Sequence, residues 1–187
     1  MIKATETKLK GCFILEPAVF EDERGLFFES YNNKDFCEAI GREVTFVQDN
    51  VSYSNKGVLR GLHFQIGEHA QAKLISVLQG RIQDVVVDLR QDSPTFGQHI
   101  SMELSDKSKK QLFIPRGLAH GFLTLSDSAR VLYKCDNYYN NEAEGGVHYN
   151  DSNLDISWVG NENDFLLSEK DRILPNFKKH LSKPVNK

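Results

Sequence analysis

The chain has 187 residues, of which 40% are hydrophobic and 26% charged, and this is enough sequence for one domain with its own core. Its 23 basic and 26 acidic side chains give a formal net charge of −3, so general electrostatics favour binding neither to nucleic acid nor to an anionic membrane. Three scattered cysteines argue against a disulfide framework, and no apolar run resembles a signal peptide or reaches membrane-spanning length. We expect a single cytoplasmic domain over residues 1–187.

Most of the chain consists of short apolar or alternating runs that are separated by turn residues. Such runs are typical of short β-strands, and their number indicates a closed sandwich or barrel, for which a jelly roll is the natural arrangement. In chain order, strands are predicted over Gly11–Leu15, Gly25–Ser30, Phe46–Tyr53, the end of Gly57–Gln65, Lys73–Leu78, Ile82–Leu89, His99–Leu104, Gln111–Ile114, Gly121–Leu125 and Val131–Tyr138. The sequence therefore predicts an all-β fold.

Only a few helical segments are predicted between these strands. One helix is predicted over Lys34–Ile40, with Asn33 as its N-cap and Gly41 just after its end. A second helical turn is predicted to begin at Ser168. The final segment, Phe177–Lys187, is rich in lysine, and we expect it to form a loosely held end.

Two histidines lie in strand-like segments that are far apart in the sequence. Gly61, His63 and Gln65 alternate along one predicted strand and therefore share a face. His120 follows a tight turn that begins at Pro115. Because a small barrel brings distant strands around one cavity, we expect the two histidines to meet there. Three roles are open to them: metal binding, proton transfer or packing.

The spacing of possible ligands gives little support to a metal site. Gln65, two residues after His63, is a poor metal ligand, and Lys73 would repel a cation. The remaining histidines have no partner at a recognisable ligand spacing: His69, His99, His148 and His180. Proton transfer is therefore the better interpretation.

The residue types that proton transfer from carbon requires are all present. A neutral imidazole such as that of His63 can remove a proton next to a ketone, and an ammonium such as that of Lys73 can neutralise the enolate oxygen. The phenol of Tyr133 can return a proton from the opposite face, because phenols are protonated at neutral pH. Asp171 or Asp84 can orient the histidine. These residue types are compatible with epimerisation but do not by themselves select it.

Ordered blocks along nearly the whole chain resemble the dTDP-4-dehydrorhamnose 3,5-epimerase family. The blocks are FEDERGLFFES (Phe20–Ser30), VQDNVSYSNKGVLRGLHFQ (Val47–Gln65), AKLISVLQGRIQDVVVDLRQDSPTFG (Ala72–Gly97), IPRGLAHGFLTLS (Ile114–Ser126), YKCDNYY (Tyr133–Tyr139) and LSEKD (Leu167–Asp171). The resemblance implies a cupin-like jelly roll that forms a homodimer by strand exchange and requires neither a metal nor an organic cofactor. It also implies epimerisation of dTDP-4-dehydro-6-deoxy-D-glucose at C3 and C5 to dTDP-4-dehydro-β-L-rhamnose, in dTDP-L-rhamnose biosynthesis.

The same resemblance implies roles for individual positions. His63 matches the general base, with Asp171 as its carboxylate partner. Tyr133 matches the general acid, and Lys73 would stabilise the oxyanion at C4. Diphosphate contacts are implied for Arg24 and Arg60, nucleotide-sugar contacts for Glu29, Gln48, Asp49 and Asn50, and further substrate contacts for His120, Glu144 and Lys170, with Asp84 as the partner of His120.

Several alternatives remain open at this point. Ser168 and Asp171 have the spacing of a helix-capping pair. On an ideal strand Arg60 points away from His63, unless Gly61 bends the chain or Arg60 lies at the start of the strand. A related enzyme would invert only C3 or only C5, or would isomerise the ketone. A more distant relative would be a metal-dependent cupin or a sugar-nucleotide-binding protein without catalytic activity.

Overall fold

The computed structural model describes residues 2–177, and strands dominate this part of the chain. The strands are β1 (Ile2–Glu6), β2 (Phe13–Pro17), β3 (Val19–Asp22), β4 (Gly25–Phe28), β5 (Gln48–Asn55), β6 (Leu59–Gln65), β7 (Lys73–Gln79), β8 (Arg81–Asp88), β9 (His99–Ser105), β10 (Gln111–Ile114), β11 (Leu118–Thr124), β12 (Ser128–Cys135) and β13 (Glu144–Gly146). The helices are α1 (Asn33–Ile40) and α2 (Glu169–Arg172), and 3-10 turns lie at Gly67–His69, Asn141–Ala143 and Glu162–Asp164. None of the described helices has the length and apolar character needed to cross a membrane.

Two antiparallel sheets enclose the main core. The first has the strand order β1-β2-β10-β7-β12-β5, and the second has the order β13-β6-β11-β8-β9. Strands β3 and β4 form a separate hairpin that pairs with neither sheet. The prediction of an all-β, cupin-like jelly roll with a few short helices is confirmed.

Apolar side chains fill the core between the sheets, and a cavity continues this core along the inner face of β12. Strand β11 is buried along its whole length because it lies inside its sheet. On β12, Ala129 and Val131 are fully buried in the core, whereas Tyr133 and Cys135, further along the same face, line a cavity. One alternating strand thus supplies both core packing and site residues.

Helix α1 begins one residue earlier than the sequence predicts. Its N-cap is Asn32, which has an extended backbone and accepts hydrogen bonds from the N–H groups of Lys34 and Asp35 at 3.1 and 3.4 Å. The prediction of Asn33 as the cap is therefore wrong, since Asn33 is the first helical residue. Gly41 follows the helix with a φ of 71°, as predicted for a left-handed end.

The other differences concern strands that pack little apolar surface. Strands β1 and β3 lack a predicted counterpart, because β1 is an edge strand and every residue of β3 is exposed. Strand β12 ends at Cys135 rather than Tyr138, since the Asp136 carboxylate turns to accept the backbone N–H of Ala72 at 2.6 Å. Pairing between neighbours, which the sequence pattern does not report, defines these boundaries.

The predicted loose segment Phe177–Lys187 lies outside the described residues except for its first member. Phe177 is buried, and the centroid of its ring lies 5.2 Å from the centroid of the Phe96 ring. Its backbone N–H donates to Asp151 Oδ2 at 2.8 Å. The chain is therefore held by packing up to this residue.

Candidate active site

A cavity of about 670 Å³ is lined by strands of both sheets and by the segment that contains α2. Most of the residues singled out from the sequence line it, although they come from strands and loops far apart along the chain. These residues are Asn50, Arg60, His63, Lys73, His120, Tyr133, Glu144, Lys170 and Asp171. The two histidines meet as expected, because His63 on β6 lies directly opposite His120 on β11.

A short contact joins His63 to Asp171. His63 Nε2 lies 2.6 Å from Asp171 Oδ1, and the Asp171 side chain is only 5% exposed. Burial raises the pKa of Asp171, but hydrogen bonds from His63 and Ser168 outweigh burial and lower the pKa below its ordinary value. Because an ionised carboxylate can only accept, Nε2 is the donor in this contact, and in the neutral form of the imidazole Nδ1 then carries the lone pair.

Both interpretations of Asp171 describe part of its geometry. Ser168 caps α2, and its hydroxyl accepts the backbone N–H of Asp171 at 3.1 Å. The Asp171 carboxylate is turned towards His63 instead of back along the helix. The cap thus fixes the backbone that presents the carboxylate to the histidine.

Lys73 and Tyr133 lie on neighbouring strands and face the same cavity. Lys73 on β7 pairs with Cys135 on β12, and Tyr133 lies two residues before Cys135, so both side chains project from one face. Burial lowers the pKa of Lys73 and raises the pKa of Tyr133, because each charged form loses hydration. The phenol therefore stays protonated at neutral pH.

A second histidine–carboxylate pair lies behind the cavity wall. His120 Nε2 is 2.8 Å from Asp84 Oδ2, and both side chains are almost fully buried. His120 lines the cavity, whereas Asp84 is not among its lining residues. The structure places Asp84 as the partner of His120, which leaves Asp171 as the carboxylate that holds His63.

A bulge places Arg60 on the same cavity wall as His63. The β6–β11 register shifts between His120 and Phe122, and Gly61 has a φ of 111°, which few residues other than glycine adopt. A Cβ at Gly61 would lie only 2.7 Å from backbone atoms of β11. The predicted bend at Gly61 is therefore present, and Arg60 Nε donates to Ser54 Oγ at 3.0 Å.

Four of the predicted substrate-binding residues do not line this cavity. Arg24 lies at the tip of the β3–β4 hairpin, exposed and paired with Asp22, and Glu29 lines a smaller cavity beside the hairpin. Gln48 accepts the backbone N–H of Tyr139 at 3.0 Å. Asp49 forms an ion pair with Lys134. The structure thus divides the predicted contacts between the cavity and the surface beside it.

Tyr139 lines the cavity but was not singled out from the sequence. Its hydroxyl donates to Glu144 Oε2 at 2.5 Å, and Glu144 also forms an ion pair with Lys170. Burial raises the pKa of Glu144, but hydrogen bonds from Lys170 and Tyr139 outweigh burial and lower it. The sequence signal that was available is the pair of tyrosines just after the end of β12. Such residues are placed by a loop, not by strand alternation.

Within residues 2–177, no group of three or more His, Cys, Asp or Glu side chains is arranged to hold a metal ion. The groups that face the cavity are instead a histidine held by a carboxylate, a lysine, a protonated phenol and an arginine. Together they can remove a proton from carbon, stabilise the resulting oxyanion and return a proton.

Known proteins are similar to this chain in both sequence and fold. A family model for dTDP-4-dehydrorhamnose 3,5-epimerase matches residues 6–179. The chain is 55% identical over 158 residues to the dTDP-4-dehydrorhamnose 3,5-epimerase of Salmonella typhimurium. The aligned region covers 84% of this chain and 86% of that protein.

Two crystal structures of similar proteins superpose closely on this fold. The dTDP-4-dehydrorhamnose 3,5-epimerase of Elizabethkingia anophelis NUHP1 has a TM-score of 0.92 and 57% identity, over 95% of this chain and 97% of that one. The dTDP-6-deoxy-D-glucose-3,5-epimerase of Legionella pneumophila Philadelphia 1 was solved in complex with dTDP-4-keto-L-rhamnose. It has a TM-score of 0.91 and 45% identity, over 95% of this chain and 94% of that one. The chain belongs to the dTDP-4-dehydrorhamnose 3,5-epimerase family.

Proposed function

We propose that this chain is an isomerase that converts dTDP-4-dehydro-6-deoxy-D-glucose to dTDP-4-dehydro-β-L-rhamnose by inverting C3 and C5, as a step of dTDP-L-rhamnose biosynthesis. The observation that carries the proposal is the His63–Asp171 pair, which shares one cavity with Lys73 and Tyr133. The complex of the Legionella pneumophila relative with dTDP-4-keto-L-rhamnose supports a dTDP-sugar as the ligand. The three buried free thiols are in keeping with a cytoplasmic location.

The reaction begins with proton removal next to the C4 ketone. His63 Nδ1 takes the proton from C3 or C5, and Asp171 stabilises the imidazolium through the 2.6 Å contact at Nε2. The electron pair of the broken C–H bond moves to the C4 oxygen and forms an enolate. Lys73 donates to that oxygen and balances its charge. The ketone itself is the electron sink, so the mechanism assigns no step to a cofactor.

Inversion is completed by a proton from the other face. Tyr133 gives its phenolic proton to C5 as the enolate returns to the ketone, and the phenolate then regains a proton from solvent. At C3, the enolate takes its proton from solvent on the face opposite His63. The imidazolium of His63 loses its proton to solvent in the same turnover. Charge and protons balance, and the nucleotide remains attached throughout.

Replacing Asp171 with asparagine should lower turnover by about 10²-fold or more, because the amide neither balances the imidazolium charge nor fixes its tautomer.

The lowered pKa of Asp171 also predicts a pH dependence of stability. The contribution of the hydrogen bonds that the ionised Asp171 carboxylate accepts is fully present above the unfolded pKa of about 3.9 and is lost as pH falls through the folded pKa. The stability difference between wild type and Asp171→Asn should therefore shrink in acid.

Steady-state kinetics and urea unfolding at several pH values measure both effects. Glu169→Gln is the matched control, since Glu169 is exposed on the same helix and does not line the cavity. Wild-type turnover in Asp171→Asn, or equal losses in both variants, would contradict the role of the dyad.

We further propose that the chain acts as a homodimer in which the β3–β4 hairpin packs on a second copy. A two-stranded hairpin is at best marginally stable alone in water, and this one exposes 66% of Phe20 and 71% of Phe27. Arg24, at its tip, is 86% exposed and would reach the cavity of the partner subunit. A guanidinium there would suit the diphosphate.

Mixing two inactive or impaired variants tests this arrangement. Arg24→Ala should raise KM about tenfold or more, the cost of losing one charge-assisted contact, and His63→Ala should abolish most turnover. In a mixed dimer, the subunit that keeps His63 receives Arg24 from its partner. Activity at low substrate should therefore rise on mixing and refolding the two variants. No recovery, or a monomer in sedimentation, would overturn the proposed dimer.

The activity itself is tested by incubation with dTDP-4-dehydro-6-deoxyglucose in the presence of EDTA, with the product identified by NMR. We expect dTDP-4-dehydro-L-rhamnose. A product inverted only at C3 or only at C5 would identify a mono-epimerase. Loss of activity with EDTA would contradict the cofactor-free mechanism, and binding without any product would favour a sugar-nucleotide-binding protein.

A further inference from the structure

Strand β5 lies at the edge of the six-stranded sheet, and within residues 2–177 it pairs only with β12. Its alternate residues Val51 and Tyr53 are exposed. The residues between and beside them, Asn50, Ser52 and Ser54, alternate onto the opposite face of the strand, where Asn50 and Ser52 line the cavity and Ser54 is buried. The polar inner face of this edge strand has no role in the mechanism described so far.

On that face, the Ser52 hydroxyl lies 3.1 Å from the hydroxyl of Tyr133. Tyr133 pairs with Asn50 and Ser52 pairs with Val131, so the two hydroxyl-bearing residues are diagonal neighbours across the β5–β12 ladder. Among the described residues, Ser52 is the only hydrogen-bond partner of the Tyr133 hydroxyl. The ring of Tyr133 is held separately, by packing against His120 and Phe122.

We propose that Ser52 is a positioning residue that holds the Tyr133 phenol and donates a hydrogen bond to its oxygen during protonation of C5. The proposal rests on the proposed function and adds a specific role for a residue outside the base–acid–lysine set. When Ser52 donates, the phenolic proton is free to point into the cavity. When proton transfer leaves a phenolate, the same hydrogen bond stabilises an anion that is otherwise poorly hydrated.

The contacts of Ser52 argue against a purely structural role. Its hydroxyl contacts no backbone group among the described residues, so it does not hold the ladder together. Ser54, two residues further along the same face, accepts from Arg60 Nε at 3.0 Å and is 2% exposed. Two serines on one strand thus hold two different cavity residues. Ser54 therefore provides a matched control that alters the contact of Arg60 and leaves the Ser52–Tyr133 hydrogen bond in place.

The experiment compares Ser52→Ala, Ser52→Thr, Ser54→Ala and Tyr133→Phe in D₂O, with inversion at C5 and label at C3 followed by NMR. Ser52→Ala should reduce C5 inversion relative to C3 exchange by about tenfold, the effect of one hydrogen bond to a charged group, with KM within about twofold of wild type. Ser52→Thr keeps the hydroxyl and should restore the ratio. Ser54→Ala should change KM and leave the ratio unaltered.

Four results would overturn the proposal. Ser52→Ala could keep the wild-type ratio while Tyr133→Phe loses it, which would make Ser52 dispensable. It could lose C3 exchange and C5 inversion equally, or fail to be rescued by threonine, which would indicate a structural defect. An unaltered ratio in Tyr133→Phe would instead remove the acid role of Tyr133 from the proposed function, and the role of Ser52 with it.

Discussion

Replacing His63 with alanine is expected to lower turnover by about 10²–10⁴-fold or more, the usual contribution of a positioned general base. His63 alone combines a cavity position with a 2.6 Å contact to a buried carboxylate of lowered pKa. Among the described residues, no other imidazole contacts that carboxylate and could take the place of His63. The expected loss lies in the proton-removal step, so deuterium exchange at C3 and C5 should fall together.

The measurement is the initial rate of exchange and of product formation for His63→Ala beside His99→Gln. His99 lies on β9, at the outer edge of the second sheet, and does not line the cavity. The control variant should stay within about twofold of wild type, as expected for a substitution away from the site. A His63→Ala enzyme with near-wild-type exchange would remove the general base from the mechanism.

Replacing Tyr133 with phenylalanine should impair inversion at C5 by about 10²-fold or more, while proton loss at C3 is affected much less. Burial raises the pKa of this phenol, which keeps it protonated and available as an acid at neutral pH. In the variant, His63 still exchanges the C5 proton from its own face. Label at C5 should then appear with retained configuration.

Tyr138→Phe is the matched control for that variant. Tyr138 is 66% exposed and does not line the cavity, so its hydroxyl can be removed without changing the site. Both variants are compared by the ratio of inverted to retained label at C5. Normal inversion in Tyr133→Phe would contradict its assignment as the acid, and an equal loss in Tyr138→Phe would show that the effect is not specific to the cavity.

The strand pattern predicted the part of the site that lies on buried, alternating segments. His63, Lys73 and Tyr133 project from strands β6, β7 and β12, whose inner faces are set by the core beneath them. The sequence left two interpretations of Asp171, a partner of His63 and a member of a helix-capping pair with Ser168. The structure shows that both apply, because the backbone N–H of Asp171 donates to Ser168 while its carboxylate contacts His63.

Features that depend on pairing or on exposed surface could not be predicted in the same way. The β3 strand has no buried side chain, so its pattern carries no signal, and Arg24 is placed by a hairpin that pairs with neither sheet. The sequence predicted Asn33 as the cap of α1, but the neighbouring Asn32 is an equally good N-cap residue by type, and the fold places the cap there. The β6 bulge depends on how closely Gly61 approaches β11, which is a tertiary property.

Incubation of the wild-type protein with dTDP-4-dehydro-6-deoxyglucose in D₂O, followed by NMR at C3 and C5, tests the central claim most directly. The account predicts deuterium at both carbons, inversion at both, and loss of label in His63→Ala. Label confined to one carbon would contradict the 3,5-epimerase assignment and indicate a mono-epimerase. No label at either carbon, with the substrate bound, would contradict proton transfer from carbon as the chemistry of this site.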